Sequence, residues 1–316
     1  MVTEMALDDL INNFIRYKKA LGCLYDTETY YLKCFKSMCE ERGCNKTPGK
    51  AEFMAWLKRR PNEQESTQHT RVSPVKQLYF YMCKIGYDMS FTLPKRVGSG
   101  SEKLKPHFFC KDELRLFFNA CDYLEPIPET PCRDIILPTA FQLLYCCGLR
   151  PIEAIKLKTA NVNLEDGYID ILGSKKHKDR RLFISRELIE YLSEYKQKIK
   201  SVWQDHEYFF PKGFKGHYAS GFLRTNFTRI WKSSVNTRKR VRLYDIRHHF
   251  AYANIDRWVR EGKNVNSMIV FLSKFMGHAS IESTFYYLHL VPDFFNDYRD
   301  IVRIYSDILP EVGYED

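Results

Sequence analysis

One polar interruption does more than any other feature to constrain how this chain folds. Residues 94–106, PKRVGSGSEKLKP, combine Pro, Gly, Ser and Lys with almost no apolar content, the composition of a solvated connector. Such a stretch cannot add to a core, so the parts on either side must each bury their own. The chain has 316 residues and 44% apolar content, enough for two cores. The sequence therefore predicts a helical unit at 1–93, the connector at 94–106, a larger unit at 107–291 and a tail at 292–316.

Punctuation residues set the elements. Leu7, Leu10, Ile11, Phe14 and Ile15 recur at helical spacing. A second helix opens near Asp26 or Thr27 and stops at Gly43, and Thr47-Pro48 has the form of an N-cap followed by proline in the first turn of a third. A fourth runs over about 66–85, carries Pro74 near its start or at a kink, and closes at Gly86. Beyond the connector come helices at 111–123 and about 133–147, the latter ending at Gly148. GYIDIL (167–172) and RRLFIS (180–185) flank the charged GSKKHKD, which reads as a hairpin; EYFFP (207–211) is strand-like. The predicted fold is mainly α with a small antiparallel β-sheet.

Charge narrows the classes of partner. The net charge is +10, and the last 25 residues carry Arg299 and Arg303 against seven acids, leaving +15 on residues 1–291. A basic body with an acidic tail suits a polyanion, nucleic acid before membrane, because no strongly basic amphipathic helix stands out. There is no run of about twenty apolar residues and no secretory pattern at the N-terminus, so the expectation is a cytoplasmic protein without a membrane partner. Ten cysteines without a CxxC pair read as reduced, buried thiols. Cys34, Cys39 and Cys44 recur every five residues, a spacing that suits no common zinc module, and no metal or other cofactor is expected.

Four separated segments place a cationic, imidazole or phenolic side chain beside structural punctuation. In CCGLRPIEAIKL, Gly148 ends one helix, Arg150 starts the next, and Glu153 one turn on can hold the guanidinium while its fork faces a phosphate. The hairpin loop carries Lys175, Lys176 and Lys178; RLYDIRHHFAY carries Arg247; FMGHASIESTFYYLHL carries His278 and Tyr287.

Taken in order, Arg150, Lys175, Arg247, His278 and Tyr287 resemble the active-site set of the tyrosine recombinases, the phage-integrase and Xer-like enzymes. The resemblance rests on GLRPIE, the hairpin lysine, DIRHHF and GHASIESTxxY, spans about residues 107–290, and extends more loosely to the N-terminal helices as a core-binding domain. It implies cleavage and rejoining of DNA through a 3′-phosphotyrosine at Tyr287, with a Holliday junction between exchanges and no ATP or divalent metal. Two bidentate arginines would neutralise the phosphate and its developing charge, at about 3 kcal/mol per preorganised donor, and His278 would add a hydrogen bond. The departing 5′-oxygen would take its proton from the hairpin lysine, which aligns best as Lys175, although Lys176 and Lys178 flank it. Counting from Gly277-His278 selects Tyr287 as nucleophile, with Tyr286 packing inward. One position departs from the family pattern: Tyr244 stands where a histidine is usual, three residues before Arg247. A phenol cannot act as a base near neutral pH, so either proton abstraction from Tyr287 is weaker, or His248 or solvent takes that part.

The implied partners are double-stranded recombination sites enclosed by a two-domain, C-shaped clamp, with a homotetramer on two duplexes and a monomer or weak oligomer when free. Lys18, Lys19, Arg71 and Lys76 in the first unit, with Arg238, Lys239, Arg240 and Arg242, are candidates for phosphate contact. The aromatic and acidic tail at 292–316 packs on its own domain or docks on a neighbouring protomer. The resemblance places the protein at a prokaryotic nucleoid or in the host of a mobile element. A type IB-like topoisomerase and a silent DNA-binding relative of the same fold are the rival readings.

Overall fold

The computed structural model describes residues 5–94, 97, 106–173, 179–213, 215–237, 239–278, 280–288 and 290. Two compact units divide the chain at 104/105, and each has its own apolar core. The fold is mainly α with a small antiparallel sheet, as the sequence predicts.

The first unit contains α1 (Leu7–Ala20), α2 (Asp26–Glu41), α3 (Lys50–Leu57) and α4 (Glu65–Lys84). Leu10, Phe14, Leu32, Phe35, Phe53, Trp56 and Leu78 close its core. Pro74 lies inside α4. The cap of α3 differs from expectation: Gly49 is the N-cap, and the Glu52 carboxylate accepts from its backbone N–H at 2.9 Å. The Thr47 hydroxyl is buried with no partner among the described residues, so proline at 48 moves the helix start two residues on.

Arg71 is the largest correction in this unit. Expected to face phosphate, it is 2% exposed. Its Nε and Nη2 donate to Glu63 at 2.7 Å each, its Nη1 donates to the Trp56 carbonyl, and its guanidinium lies 5.1 Å from the Trp56 ring centroid. A guanidinium buried in the core, with four of its five N–H groups taken by a carboxylate and backbone carbonyls, is not available to DNA. Lys19 is exposed. Lys18 sits over the Phe14 and Tyr25 rings, and Lys76 donates to the Pro94 carbonyl at 2.6 Å.

The second unit runs α5 (Lys111–Asp122), α6 (Arg133–Cys147), α7 (Pro151–Ile155), β1 (Val162–Asn163), β2 (Tyr168–Ile171), β3 (Arg180–Phe183), α8 (Arg186–Val202), α9 (Gly221–Ser234), α10 (Leu243–Arg260), α11 (Val265–Met276) and α12 (Glu282–Leu288). The sheet has the order β1-β2-β3, with Ile169 opposite Leu182 and Ile171 opposite Arg180. EYFFP forms no strand: only isolated bridges join Tyr208 to Lys158 and Pro211 to His217, because Phe209 and Phe210 both turn into the core and break the alternation a strand requires. α6 is buried along most of its length, and a separate cluster of Ala251, Ile255, Leu272, Met276, Tyr287 and Leu288 binds α10, α11 and α12 together. All ten cysteines are free, but Cys23, Cys83 and Cys110 are exposed, contrary to the expectation of buried thiols. Among the described residues, no helix is long and apolar enough to cross a membrane, and no cluster of His, Cys, Asp or Glu could hold a metal ion.

Candidate active site

The site forms around the C-terminal turn of α11, whose last carbonyls have no partner within the helix. Three guanidiniums supply one. Arg180 Nε donates to the Phe275 carbonyl at 2.7 Å, Arg247 Nη2 to Met276 at 2.7 Å and Arg150 Nη2 to Gly277 at 2.7 Å. Cations at the negative end of the α11 dipole are favourably placed. The arginines come from β3, from α10 and from the start of α7, so this turn draws distant segments together.

Each arginine is held by local chemistry. Arg150 is the N-cap of α7, with Pro151 in the first turn; its backbone N–H donates to Glu153 at 3.0 Å and its Nη1 to Glu153 Oε1 at 2.6 Å. Arg180 donates to the same carboxylate at 2.8 and 3.2 Å. Burial by itself would raise the Glu153 carboxyl, but the Arg180 and Arg150 guanidiniums overcome this and hold it below the usual carboxylate range. Arg247 is 1% exposed; its Nη1 donates to the Gly148 carbonyl at 2.5 Å, and its Nε has no partner among the described residues. Gly148 is left-handed at φ +58°, and a Cβ there would lie 2.4 Å from the Phe250 ring.

His278 follows Gly277, and its Nδ1 lies 2.6 Å from the Thr284 hydroxyl. Burial, then Arg247, Arg150 and Arg180, bring its pKa down to about 4, so the ring is neutral at physiological pH. Tyr287 stacks near it at 6.3 Å between centroids. The structure reverses the expected burial of the two tyrosines. Thr284, Tyr287 and Leu288 form the buried face of α12, Tyr287 is 3% exposed, and Tyr286 is half-buried; the i, i+3, i+4 spacing puts 287 on that face. The Tyr287 hydroxyl meets His248 Nδ1 at 2.8 Å. Burial raises its pKa above the ordinary phenol value, and nearby Arg247 offsets this only in part.

Arg150, Arg247, His278 and Tyr287 are therefore brought together from positions up to 137 residues apart. Tyr244 is 42% exposed at the edge of the site, its ring 5.1 Å from that of His248. Lys175, Lys176, Lys178 and Arg238 lie outside the described residues, as does the tail at 292–316. Lys239 and Arg240 are exposed. Arg242 is instead tied to Asp245 at 2.7 Å, an ion pair at the start of α10. Those three residues, with Arg224, Lys232 and Tyr244, line a cleft of about 1100 Å³. Arg180, Arg224 and Lys232 escaped the sequence reading; the one signal for Arg180 was its place in a strand directly after the lysine-rich loop.

Cations gathered around a phenol, on a mainly α domain with a small antiparallel sheet, define a class of protein suited to hold an anionic ester beside a side-chain nucleophile. The chain belongs to the phage integrase family, whose model matches residues 107–293, and is a tyrosine recombinase. A putative integrase/recombinase, y4rE of Sinorhizobium fredii (strain NBRC 101917 / NGR234), is 23% identical over 288 residues, covering 89% of this chain and 91% of that protein. Tyrosine recombinase XerD of Listeria innocua serovar 6a (strain ATCC BAA-680 / CLIP 11262) is 22% identical over 305 residues, 90% of this chain and 95% of that protein. The crystal structure of a lambda integrase tetramer bound to a Holliday junction superposes with a TM-score of 0.56 at 16% identity, over 87% of this chain and 78% of that one.

Proposed function

We propose that this chain is a site-specific DNA recombinase that cleaves and rejoins strands through a 3′-phosphotyrosyl bond at Tyr287, passing through a Holliday junction and needing neither ATP nor a divalent metal. The observation that carries this reading is the gathering of Arg150, Arg247 and His278 with Tyr287 at one helix terminus. Guanidiniums supply the charge stabilisation that a metal gives in other phosphoryl-transfer enzymes. The energy of the broken phosphodiester is kept in the phosphotyrosine, so a foreign 5′-hydroxyl can complete the exchange without external fuel. Lys175 is the proposed proton donor to the departing 5′-oxygen, and Tyr244 a hydrogen-bond donor at the edge of the phosphate.

The rest of the reading follows the family. Residues 1–93 act as a core-binding domain, joined by 94–106 to the catalytic domain, so that the two enclose duplex DNA as a clamp. Four protomers then assemble on two duplexes, and the tail at 292–316 passes between them. The lambda integrase tetramer on a Holliday junction supports this stoichiometry.

The test is covalent trapping. Nicked duplexes with a randomised core are incubated with the protein, and adducts that survive denaturation are recovered. The parent is expected to yield a DNA adduct at Tyr287, and Tyr287→Phe none. No adduct from the parent across the pool, or an unchanged yield from Tyr287→Phe, would overturn the assignment. Relaxation of supercoils by single protomers, without exchange between duplexes, would mark a type IB-like topoisomerase instead.

A further inference from the structure

The phenol that is to attack phosphorus starts in an unreactive state. Burial holds the Tyr287 hydroxyl protonated well beyond the ordinary phenol range, and its proton must leave as the new bond forms, so an acceptor is needed within hydrogen-bond reach. Tyr244 has no such nitrogen to offer, and its side chain points far enough outward to be 42% exposed. The side chain that touches the reacting oxygen is His248, next to Arg247 on α10, with Nδ1 at 2.8 Å from Tyr287 Oη. Its ring also packs edge-on against Tyr244 at 5.1 Å and Tyr286 at 6.5 Å between centroids, which fixes the plane of the imidazole.

We propose that His248 is the general base of strand cleavage, a catalytic residue in direct contact with the nucleophile; this rests on the assignment of Tyr287 made above. Tyr287 donates its hydrogen bond to Nδ1, and the imidazole carries its own proton on Nε2. As Oη bonds to phosphorus and the P–O5′ bond breaks, the phenolic proton passes to Nδ1 and His248 becomes an imidazolium. The leaving 5′-oxygen takes a different proton, from the donor assigned to Lys175. On rejoining, a 5′-hydroxyl attacks and gives its proton back to the group assigned to Lys175, the P–Oη bond breaks, and His248 returns its proton to the phenolate. One helix thus supplies a phosphate-binding guanidinium and, at the next residue, the acceptor for the nucleophile.

The surroundings suit an acceptor. Asp245 favours the imidazolium, whereas Arg242 and Arg247 oppose it; among the described residues, Tyr244 from α10, Tyr286 and Tyr287 from α12 and His278 ahead of α12 are its other titratable neighbours. Burial and these charges bring the His248 pKa down to about 4, so without DNA the ring is neutral and free to accept. A phosphate seated against Arg150 and Arg247 adds negative charge beside the ring and raises its basicity when the proton has to move.

The experiment is the pH–rate profile of single-turnover adduct formation, on a nicked duplex recovered from the randomised pool with the parent protein. In the parent the rate is expected to rise with pH at unit slope through the His248 pKa of the complex and then level. His248→Asn, which can still accept the phenol's hydrogen bond but cannot take its proton, is expected to bind the same duplex equally well. It should cleave about a hundred-fold or more slowly, at a rate that keeps climbing with hydroxide. In His248→Ala, added imidazole is expected to restore part of the lost rate. A His248→Asn protein with the parent's rate and profile overturns the proposal, and so does a faster one, which would identify the contact as a restraint on Tyr287. The parent's adduct and its loss in Tyr287→Phe are read in the same assay, so failure of the base and failure of the nucleophile assignment give different results.

Discussion

At position 277 a side chain has nowhere to go. Gly277 is left-handed at φ +65°, its carbonyl receives Arg150, and a Cβ would lie 2.8 Å from Arg180 Nη1. Gly277→Ala therefore combines a disfavoured backbone with displacement of a buried guanidinium, and is expected to cost about 2 kcal/mol, read as a fall in urea midpoint; an unchanged midpoint would show that Arg180 relocates freely. Single residues were legible where their meaning is local. Gly148 and Arg150 could be placed because helix ends depend on a few neighbouring residues. The inward turn of Tyr287 and the outward turn of Tyr244 were not, because adjacent residues on a helix differ only in which neighbour they meet.

At the scale of elements, Arg71 on α4 donates to the Trp56 carbonyl of α3 and pairs with Glu63 in the connection between them, which shows how a basic residue in a basic protein can serve the fold instead of the ligand. The Arg71 guanidinium, above all, holds the Glu63 carboxyl down to about 2. A carboxyl lowered on folding stabilises the native state fully above its unfolded pKa of about 4.3, and this stabilisation is lost as pH falls toward 2. Glu63→Gln is expected to cost about 3 kcal/mol at neutral pH and to remove that component of the acid sensitivity. Hydrogen exchange of the α3 and α4 amides, followed from pH 5 to pH 3, checks both; protection in the variant equal to the parent's would mean that Arg71 finds another partner. Long helices such as α1, α2, α4 and α6 carried enough apolar character to be read from sequence, the last three with ends set by Gly43, Gly86 and Gly148. β1 is two residues long, and EYFFP makes only two isolated bridges, so neither has a period to detect.

For the whole molecule, charge is the property that links composition to the proposed function. Exposed Lys239 and Arg240, with Arg224 and Lys232 along the same cleft, are expected to neutralise DNA phosphates. The logarithm of affinity for a random duplex should then fall linearly with the logarithm of salt concentration, and a Lys239→Gln, Arg240→Gln double variant should reduce that slope by about 2. Equilibrium binding between low and moderate salt measures it; an unchanged slope would move the contact elsewhere. Arg71 carries the same formal charge and is expected to contribute nothing to the slope, a difference invisible to composition.

The sequence by itself determined the helical periods, the punctuating glycines and the order of the cationic and phenolic motifs, because each depends on residues close together along the chain. Tertiary structure alone decided that Arg180 joins Arg150 on Glu153, that Arg71 is consumed by the core, and that His248 lies against the Tyr287 hydroxyl. These contacts connect residues from 8 to 39 positions apart by hydrogen bonds that have no period and no composition. They exist only once the packing of α10, α11 and α12, and of α3 on α4, has fixed which side chains share a desolvated space.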